Sequence, residues 1–387
     1  MAGPLDGLKV LELSEAVAGP YASMALGDAG AEVTKVESLD GDRSREWGSH
    51  TRGDYGAVYA GLNRNKRSIA LDPSKPESRD AVRRLAKDAD VIIVDAGWDT
   101  KIGLTFADVQ SINPRAVYMS ISEWGEKGPW ANQPPYGELA AQLASEATLS
   151  LGVIGDKPVR HGTDIGSMYA GVYGIQAINA ALYARERTGK GQRIDVSLFG
   201  VLMAMRSTLW VALSNPDYWW GFHLDSYIKP PDHGYVCKDG NRIFFSLARM
   251  TAEERETLHQ ELGGLPWLES EPRKQMFMED RGGGGTRYGY LITDLWEKAF
   301  STKNADELIE IIRNLGGWSF PMNDYQTLFD SDQVAAVNMV AETDYPGLGT
   351  RRTMQPPWEF ADTPASIRLP PPALGAHTKE ILAGVGL

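Results

Sequence analysis

The first forty residues restrict the fold most. Leu8 to Leu13 is a short apolar run, Ala18 to Leu26 carries a helical pattern closed by Gly27 and Gly30, and Ala31 to Glu37 is a second strand-like run. Strand, helix and strand in so short a span argue for a βαβ unit, and so for a parallel sheet with helices outside it. The alternation continues. Ser68 to Leu71 predicts a strand, Pro76 to Ala89 a helix, Val91 to Val94 a strand buried on both faces, and Ala116 to Ile121 a further strand after Asn113-Pro114. Ser167 to Arg185 is rich in small residues. Gly171, Gly174, Ala177, Ala180 and Ala181 recur at helical spacing and predict a buried helix with a close-packing face. Thr188-Gly-Lys-Gly-Gln192 ends that helix, because glycine tolerates a left-handed cap, and Ile194 to Leu198 follows as a strand.

A second pattern begins after Lys229-Pro-Pro-Asp232, which reads as part of a linker over 206–229 and its end. Strands Gly234 to Val236 and Arg242 to Leu247 flank the turn Lys238-Asp-Gly240. Thr251 with Glu254 forms a capping-box signature for a helix to Leu262, stopped by Gly263-Gly264. Ala305 to Leu315 is amphipathic, with Leu308, Ile311, Ile312 and Leu315 on one face. The remainder is proline-rich, with Pro356-Pro357 and Pro370-Pro-Pro372, and reads as an extended arm ending in a short helix from His377 to Ala383. The fold class is therefore α/β. A large domain is expected from 1–205 and 321–387, and a small α+β domain from 230–320.

Several chemistries are disfavoured. The net charge of −12 argues against a nucleic-acid groove, though not against a local basic pocket for a phosphorylated ligand. Cys237 is the only cysteine, so no disulfide forms within the chain. The six histidines, at 50, 161, 223, 233, 259 and 377, do not pair at metal-ligand spacing, and no metal is expected. The turn Ser14 to Gly19 lacks the glycine pattern of a dinucleotide loop, so NAD is not expected. Glu37, which ends the second strand, reads more readily as a solvated carboxylate than as a ribose ligand. There is no phosphate-binding P-loop and no nucleophile elbow. No apolar run approaches the roughly 20 residues of a membrane span and no N-terminal leader pattern appears, so a cytoplasmic protein without membrane contact is the expectation. Arg281-Gly-Gly-Gly-Gly285 reads as a flexible loop or an anion-binding lid. The aromatic cluster Trp210, Tyr218, Trp219, Trp220 and Phe222 suits an interface or an apolar pocket.

A set of strings then resembles one family over essentially the whole chain, in order. They are Leu5-Asp-Gly-Leu-Lys-Val-Leu-Glu-Leu13, Ala18-Gly-Pro20, Gly30-Ala-Glu-Val-Thr-Lys-Val-Glu37, Leu62-Asn-Arg-Asn-Lys-Arg-Ser-Ile69, Ile112-Asn-Pro-Arg115, Gly125-Glu-Lys-Gly-Pro129, the long Ala180 to Leu198 run, and Leu374-Gly-Ala-His-Thr378. The chain is similar in these to the family III coenzyme A transferases, which include formyl-CoA and carnitine CoA-transferases and α-methylacyl-CoA racemases. The resemblance implies a Rossmann-like large domain built from both chain ends, a small domain between them, and two chains threaded as interlocked rings. It implies acyl-CoA and a carboxylic acid as substrates. In this family an aspartate attacks the thioester, passes through a mixed anhydride and becomes an aspartyl-CoA thioester, which keeps the transfer potential that hydrolysis would waste.

This sequence departs from that pattern at the nucleophile. The family's aspartate falls 21 residues before the threonine matched by Thr188, and Ser167 stands there, in Ile165-Gly166-Ser167. The family's carboxylate in a Tyr-Asp or Tyr-Glu pair falls on Glu138. An acyl-serine would be an ordinary ester and a sink. Asp164, three residues before Ser167, is read as a capping carboxylate for the helix or else as a displaced nucleophile. Residues matching the family's CoA contacts are Val17, Ala18, Leu71 and Lys75, with Lys101 in place of a phosphate-binding arginine in a segment shorter than the family's; Ser38 stands where the family often has arginine. The first expectation is a non-catalytic subunit paired with a related Asp-bearing chain, as in succinyl-CoA:benzylsuccinate CoA-transferase. The others are a self-sufficient homodimeric transferase or racemase using Asp164, and a non-catalytic acyl-CoA-binding protein.

Overall fold

The computed structural model describes residues 2–48, 55–145, 153–154, 157–158, 164–207, 234–282, 289–347 and 349–387. They fall into two compact units, one drawn from 1–147, 160–207 and 332–387, the other from 148–159 and 208–331. The linker motif Lys229 to Asp232, the aromatic cluster at 210–222 and Gly283 to Gly285 lie outside the described residues.

In the first unit, β1 (Lys9–Leu13), β2 (Glu32–Glu37), β3 (Lys66–Ala70), β4 (Val91–Asp95), β5 (Val117–Ser122) and β6 (Arg193–Ser197) form one parallel sheet in the order β3-β2-β1-β4-β5-β6. Side chains alternate across it. Val10, Val33, Ile93 and Met119 face one core with α1 (Ala18–Asp28) and the helix at 165–188, while Leu11, Ile69, Ile92 and Tyr118 face another with the helices at 76–87 and 106–112. Strands covered on both faces explain the near-continuous apolar runs in the sequence.

The long helix has the close-packing face that its small residues predicted. A Cβ on Gly171 would lie 2.9 Å from Tyr21 Cδ1 and 3.0 Å from the Ala18 carbonyl, and one on Gly174 would lie 2.8 Å from Met119 Sδ. Ala170, Ile178, Ala181 and Leu182 complete that face, whereas Ala180 is exposed. Arg185 ties the far end of the helix to Asp90 at 2.9 Å.

The recurrent strings turn out to be structural joints. Glu12 on β1 lies fully buried under α1 and receives Lys35 Nζ at 2.8 Å and Lys66 Nζ at 3.0 Å. Lys35 also meets Asp42 at 2.9 Å. Burial alone would raise the Glu12 pKa, but the two lysines overcome that and lower it. Burial pushes Lys66 down to about 8. Glu37, expected as a solvated strand end, is instead buried and holds Arg45 at 2.8 Å and the Ser68 hydroxyl at 2.6 Å. β3 is the edge strand, and the chain's end covers it. Asn65 N donates to the Leu369 carbonyl, Ser68 N to His377 Nδ1, His377 N to the Ser68 carbonyl, and Ala70 N to Thr378 Oγ1. An edge sealed in this way cannot pair with another strand. The proline-rich arm is preceded by an unexpected antiparallel pair, Val340–Tyr345 with Gly349–Met354, where alternation around Pro346-Gly347 favours a ribbon.

The second unit carries a three-stranded antiparallel sheet in which Arg242–Ser246 is central, flanked by Tyr235–Val236 and Trp318–Pro321. The capping box at Thr251 and Glu254 is present and opens the helix Ala252–Glu261. Its core is aromatic, with Tyr235, Phe245, Phe277, Trp296 and Phe300 in mutual edge and tilted contacts. Among the described residues no helix is long and apolar enough to cross a membrane.

Glu12 sits between two buried cations that have few other anions to pair with. Glu12→Gln is expected to destabilise the chain by about 3–5 kcal/mol, the usual cost of removing one member of a buried ion network. A urea titration measures this, and a loss under about 1 kcal/mol would contradict the assignment.

Candidate active site

In a parallel sheet the loops after each strand gather at one edge, and ligands enter where the strand order reverses. Here that reversal lies between β1 and β4. After β1 the chain runs through Ser14 to Val17 into α1, and after β4 it turns through Ala96 and Gly97 into α2 (Trp98–Ile102). Asp95 accepts from Glu15 N at 2.8 Å, Trp98 Nε1 donates to Glu15 Oε1 at 3.2 Å, and Ala16 N donates to Asp42 Oδ1 at 3.0 Å. Ala16 has a φ of +66°, a left-handed turn that these bonds hold in place.

The expected CoA contacts distribute around this edge. Val17 and Ala18 open α1 with buried side chains, leaving backbone as what they can offer a ligand. Leu71 is buried in the core directly after β3, and its N–H is committed to the Glu37 carbonyl. Lys75 stands at the position before the helix Pro76–Lys87, with no capping bond from its side chain, and Lys101 lies in the last turn of α2; both are exposed.

At the other side of the sheet, β5 leads through Glu123 and Trp124 to the short helix Glu138–Ala144, and the long helix Ile165–Thr188 begins beside it. Glu138 reaches the long helix's open N-terminus. Its Oε1 accepts from Gly166 N at 2.7 Å and from Gln142 Nε2 at 2.7 Å; its Oε2 accepts from Ser167 N at 2.8 Å and from Ser167 Oγ at 2.7 Å. The first-turn N–H groups of a helix have no partner within it, and the helix dipole favours a negative charge there. Gly166 permits the approach, since a Cβ at that position would lie 2.9 Å from Glu138 Oε1. This corrects the expectation for Asp164. It occupies the residue position that precedes the helix, yet its side chain makes no capping hydrogen bond, and Glu138 does the capping from another helix. The structure thus brings Ser167 and Glu138 together.

Two further carboxylates that follow or end strands of this sheet escaped sequence reasoning. Glu123 Oε2 accepts from Gly137 N at 2.7 Å; burial, with a contribution from the Glu138 charge, raises its pKa. Beside it Trp124, Trp130 and Phe199 pack in edge-on and tilted contacts with ring centroids 5.4–6.3 Å apart. Asp95 is the second. Part of its surface stays open, yet the protein crowding it pushes its pKa up to about 7. Neither has a sequence signature, because each depends on a loop folding back over a strand end. In the second unit, Asp280 accepts from Gly282 N at 3.1 Å and Trp296 Nε1 at 3.0 Å, which anchors the start of the glycine run. Among the described residues no group of three His, Cys, Asp or Glu side chains could hold a metal ion.

The family model for CoA-transferase family III matches residues 5–378. The chain belongs to that family. It is 32% identical to an acyl-CoA transferase of Fusarium pseudograminearum, over 100% of this chain and 85% of that protein. It is 28% identical to the human succinyl-CoA:glutarate CoA-transferase, over 99% of this chain and 86% of that one. Among solved structures it superimposes on a CaiB/BaiF family protein from Brucella suis with a TM-score of 0.80, at 28% identity and with both chains fully covered. The mixed α/β fold is that of these proteins, and CoA transfer between acyl-CoA and acids is the family's chemistry.

Folding raises the Asp95 pKa from 3.8 to about 7, so the folded chain holds the extra proton between those values. Its contribution to stability is full below 3.8 and is lost as pH rises through about 7. Asp95→Asn is expected to flatten the stability–pH curve across that window and to raise stability at pH above it. Denaturant titrations on either side of the window check this; an unchanged slope would remove Asp95 from the account.

Proposed function

We propose that this protein moves CoA between an acyl-CoA, such as succinyl-CoA, and a small dicarboxylic acid, and that residue 167 does not carry the acyl group. The observation behind this is the pairing at the start of the long helix. Where the family's aspartate would stand, Ser167 donates its hydroxyl hydrogen to Glu138 Oε2 at 2.7 Å. A serine acylated there would be an oxygen ester, too stable to return its acyl group to CoA. The nucleophilic carboxylate therefore comes from elsewhere. The substrate class is supported by the named activity of the human relative, whose donor and acceptor are both dicarboxylic. In this reading the large unit holds the CoA along the carboxyl edge of the sheet, with Val17, Ala18, Leu71, Lys75 and Lys101 as its contacts, and the working assembly is a dimer.

Two sources could supply the carboxylate. One is a related Asp-bearing chain in a heterodimer, the arrangement that the resemblance to the benzylsuccinate enzyme implies, with an arylsuccinate as acceptor. The other is this chain itself, and the carboxylate already seated on Ser167 favours it.

The test is a CoA-exchange assay on the purified chain with succinyl-CoA and a panel of dicarboxylates, glutarate and arylsuccinates included, followed by chromatography of the CoA esters. Transfer by the chain alone is expected. Transfer that appears only on co-expression with a related Asp-bearing chain would reinstate the heterodimer. Binding of CoA without turnover in any mixture would make the protein a non-catalytic acyl-CoA binder.

A further inference from the structure

We infer that Glu138 is the residue that carries the acyl group and then the CoA in this chain, having taken over the role that the family assigns to position 167; this rests on the CoA-transfer reading above. The reaction needs a carboxylate, because only an anhydride or a thioester keeps the transfer potential. It also needs that carboxylate among donors that can stabilise the charge on a tetrahedral centre. Glu138 meets both needs. Its two oxygens face the N–H groups of Gly166 and Ser167 at 2.7 and 2.8 Å. It is half-buried, as is Ser167, so substrate can reach it.

The orientation is fixed from a second direction. Gln142, fully buried and one helical turn on, donates Nε2 to Glu138 Oε1 at 2.7 Å. Its own carbonyl oxygen has no hydrogen-bond partner among the described residues, so the bond to Glu138 is what this buried amide is placed to make. Gln142 is thus a positioning residue.

The four bonds also say which oxygen reacts. Each carboxylate oxygen has two lone pairs, and all are in use. Three donors are held, two by the backbone and one by burial. The fourth, the Ser167 hydroxyl, hangs on a single rotatable Cα–Cβ bond of a half-buried side chain. Its rotation opens one lone pair of Oε2 for attack, after which the same hydroxyl can donate to the new carbonyl oxygen. An aspartate at 167 would put a second negative charge against Glu138; a serine removes it. Burial, and to a lesser degree the Glu138 charge, raises the pKa of Glu123, and acylation of Glu138 removes that second contribution.

The steps balance. Glu138 Oε2 attacks the acyl-CoA carbonyl carbon, the C–S bond breaks, and CoA leaves as thiolate from a mixed anhydride. The thiolate attacks Glu138 Cδ, expels the first acid as carboxylate and leaves a glutamyl-CoA thioester. The second carboxylate attacks Cδ, releases the thiolate and forms a new anhydride. The thiolate attacks the acyl carbon of that anhydride, which yields the new acyl-CoA and restores Glu138.

The experiment treats the intact chain with succinyl-CoA in the presence of hydroxylamine, maps the peptides by mass spectrometry, and measures transfer in parallel. A hydroxamate on Glu138 is expected. Glu138→Gln is expected to lose transfer by roughly 10³-fold or more, as removal of a nucleophile does. Since that variant could also weaken the docking of the long helix, the mark on the unmodified enzyme decides. A mark on Asp164, an ester on Ser167, a mark confined to a co-expressed chain, or transfer with the Glu138 peptide unchanged would each overturn the inference and leave the CoA-transfer reading standing. Absence of transfer with every donor and acceptor, alone or with related chains, overturns both.

Discussion

Glu12 is the point on which the first unit turns. It is a carboxylate with no exposure, placed under a helix and between two fully buried lysines, one on β2 beside it and one on β3, the strand beyond. Its oxygens also accept from Ser14 at 3.1 Å and Ser23 at 2.6 Å, so β1, β2, β3 and α1 all meet at one side chain. A slip of one residue in any of the three strands would turn its ion to the opposite face and leave the others unpaired. The cluster is therefore a register lock as well as a source of stability. Lys35 continues it to Asp42, whose other oxygen holds Ala16 N in the turn that opens the ligand crevice. The geometry of the crevice is inherited from a charge network beneath it.

The far end of the chain depends on the same strands. β3 would be an open edge, and the segment from Ser366 to Thr378 closes it with alternating backbone and side-chain bonds. Arg45 and Tyr59 reach from the Glu37 network to the Pro372 carbonyl. Prolines suit this segment: they cannot add strand-type donors on the outer side, and they limit the freedom that docking has to remove. The large unit needs both chain ends for this reason.

Much of this was legible in the residues, and for identifiable reasons. Strands buried on both faces announce themselves as Val and Ile runs, and the capping box at Thr251 uses two side chains three apart. Both signals are local. The motif Asn63-Arg64-Asn65-Lys66 was readable as a family signature but not as a mechanism. Its partners are Asp28, Ser366 and Glu12, dozens to hundreds of residues away. The ribbon at 340–354 was hidden by the prolines that follow it. The capping reading of Asp164 failed because a capping side chain normally comes from the residue before the helix, and here the cap comes from a residue 28 positions upstream of Gly166. Sequence spacing identified Ser167 and Glu138 as matching positions; only the fold puts one on the other.

That contact changes what a serine means at the position where the family resemblance puts an aspartate. A nucleophile deleted from an otherwise intact site normally leaves a hole, a charge without a partner or a relaxed loop. Here the helix terminus keeps a carboxylate against its donors, the serine is small enough to admit it, and Gly166 leaves the space it fills. Gln142, with no exposure, holds it in place. A helix dipole and backbone donors act on whatever carboxylate lies at the terminus, not on a residue number. If the acid that lies there arrives on a longer side chain from a neighbouring helix, the electrostatic conditions for an anhydride are retained while the sequence motif is lost. Under the inference that Glu138 carries the acyl group, Ser167 marks a relocation of the reacting group within one site.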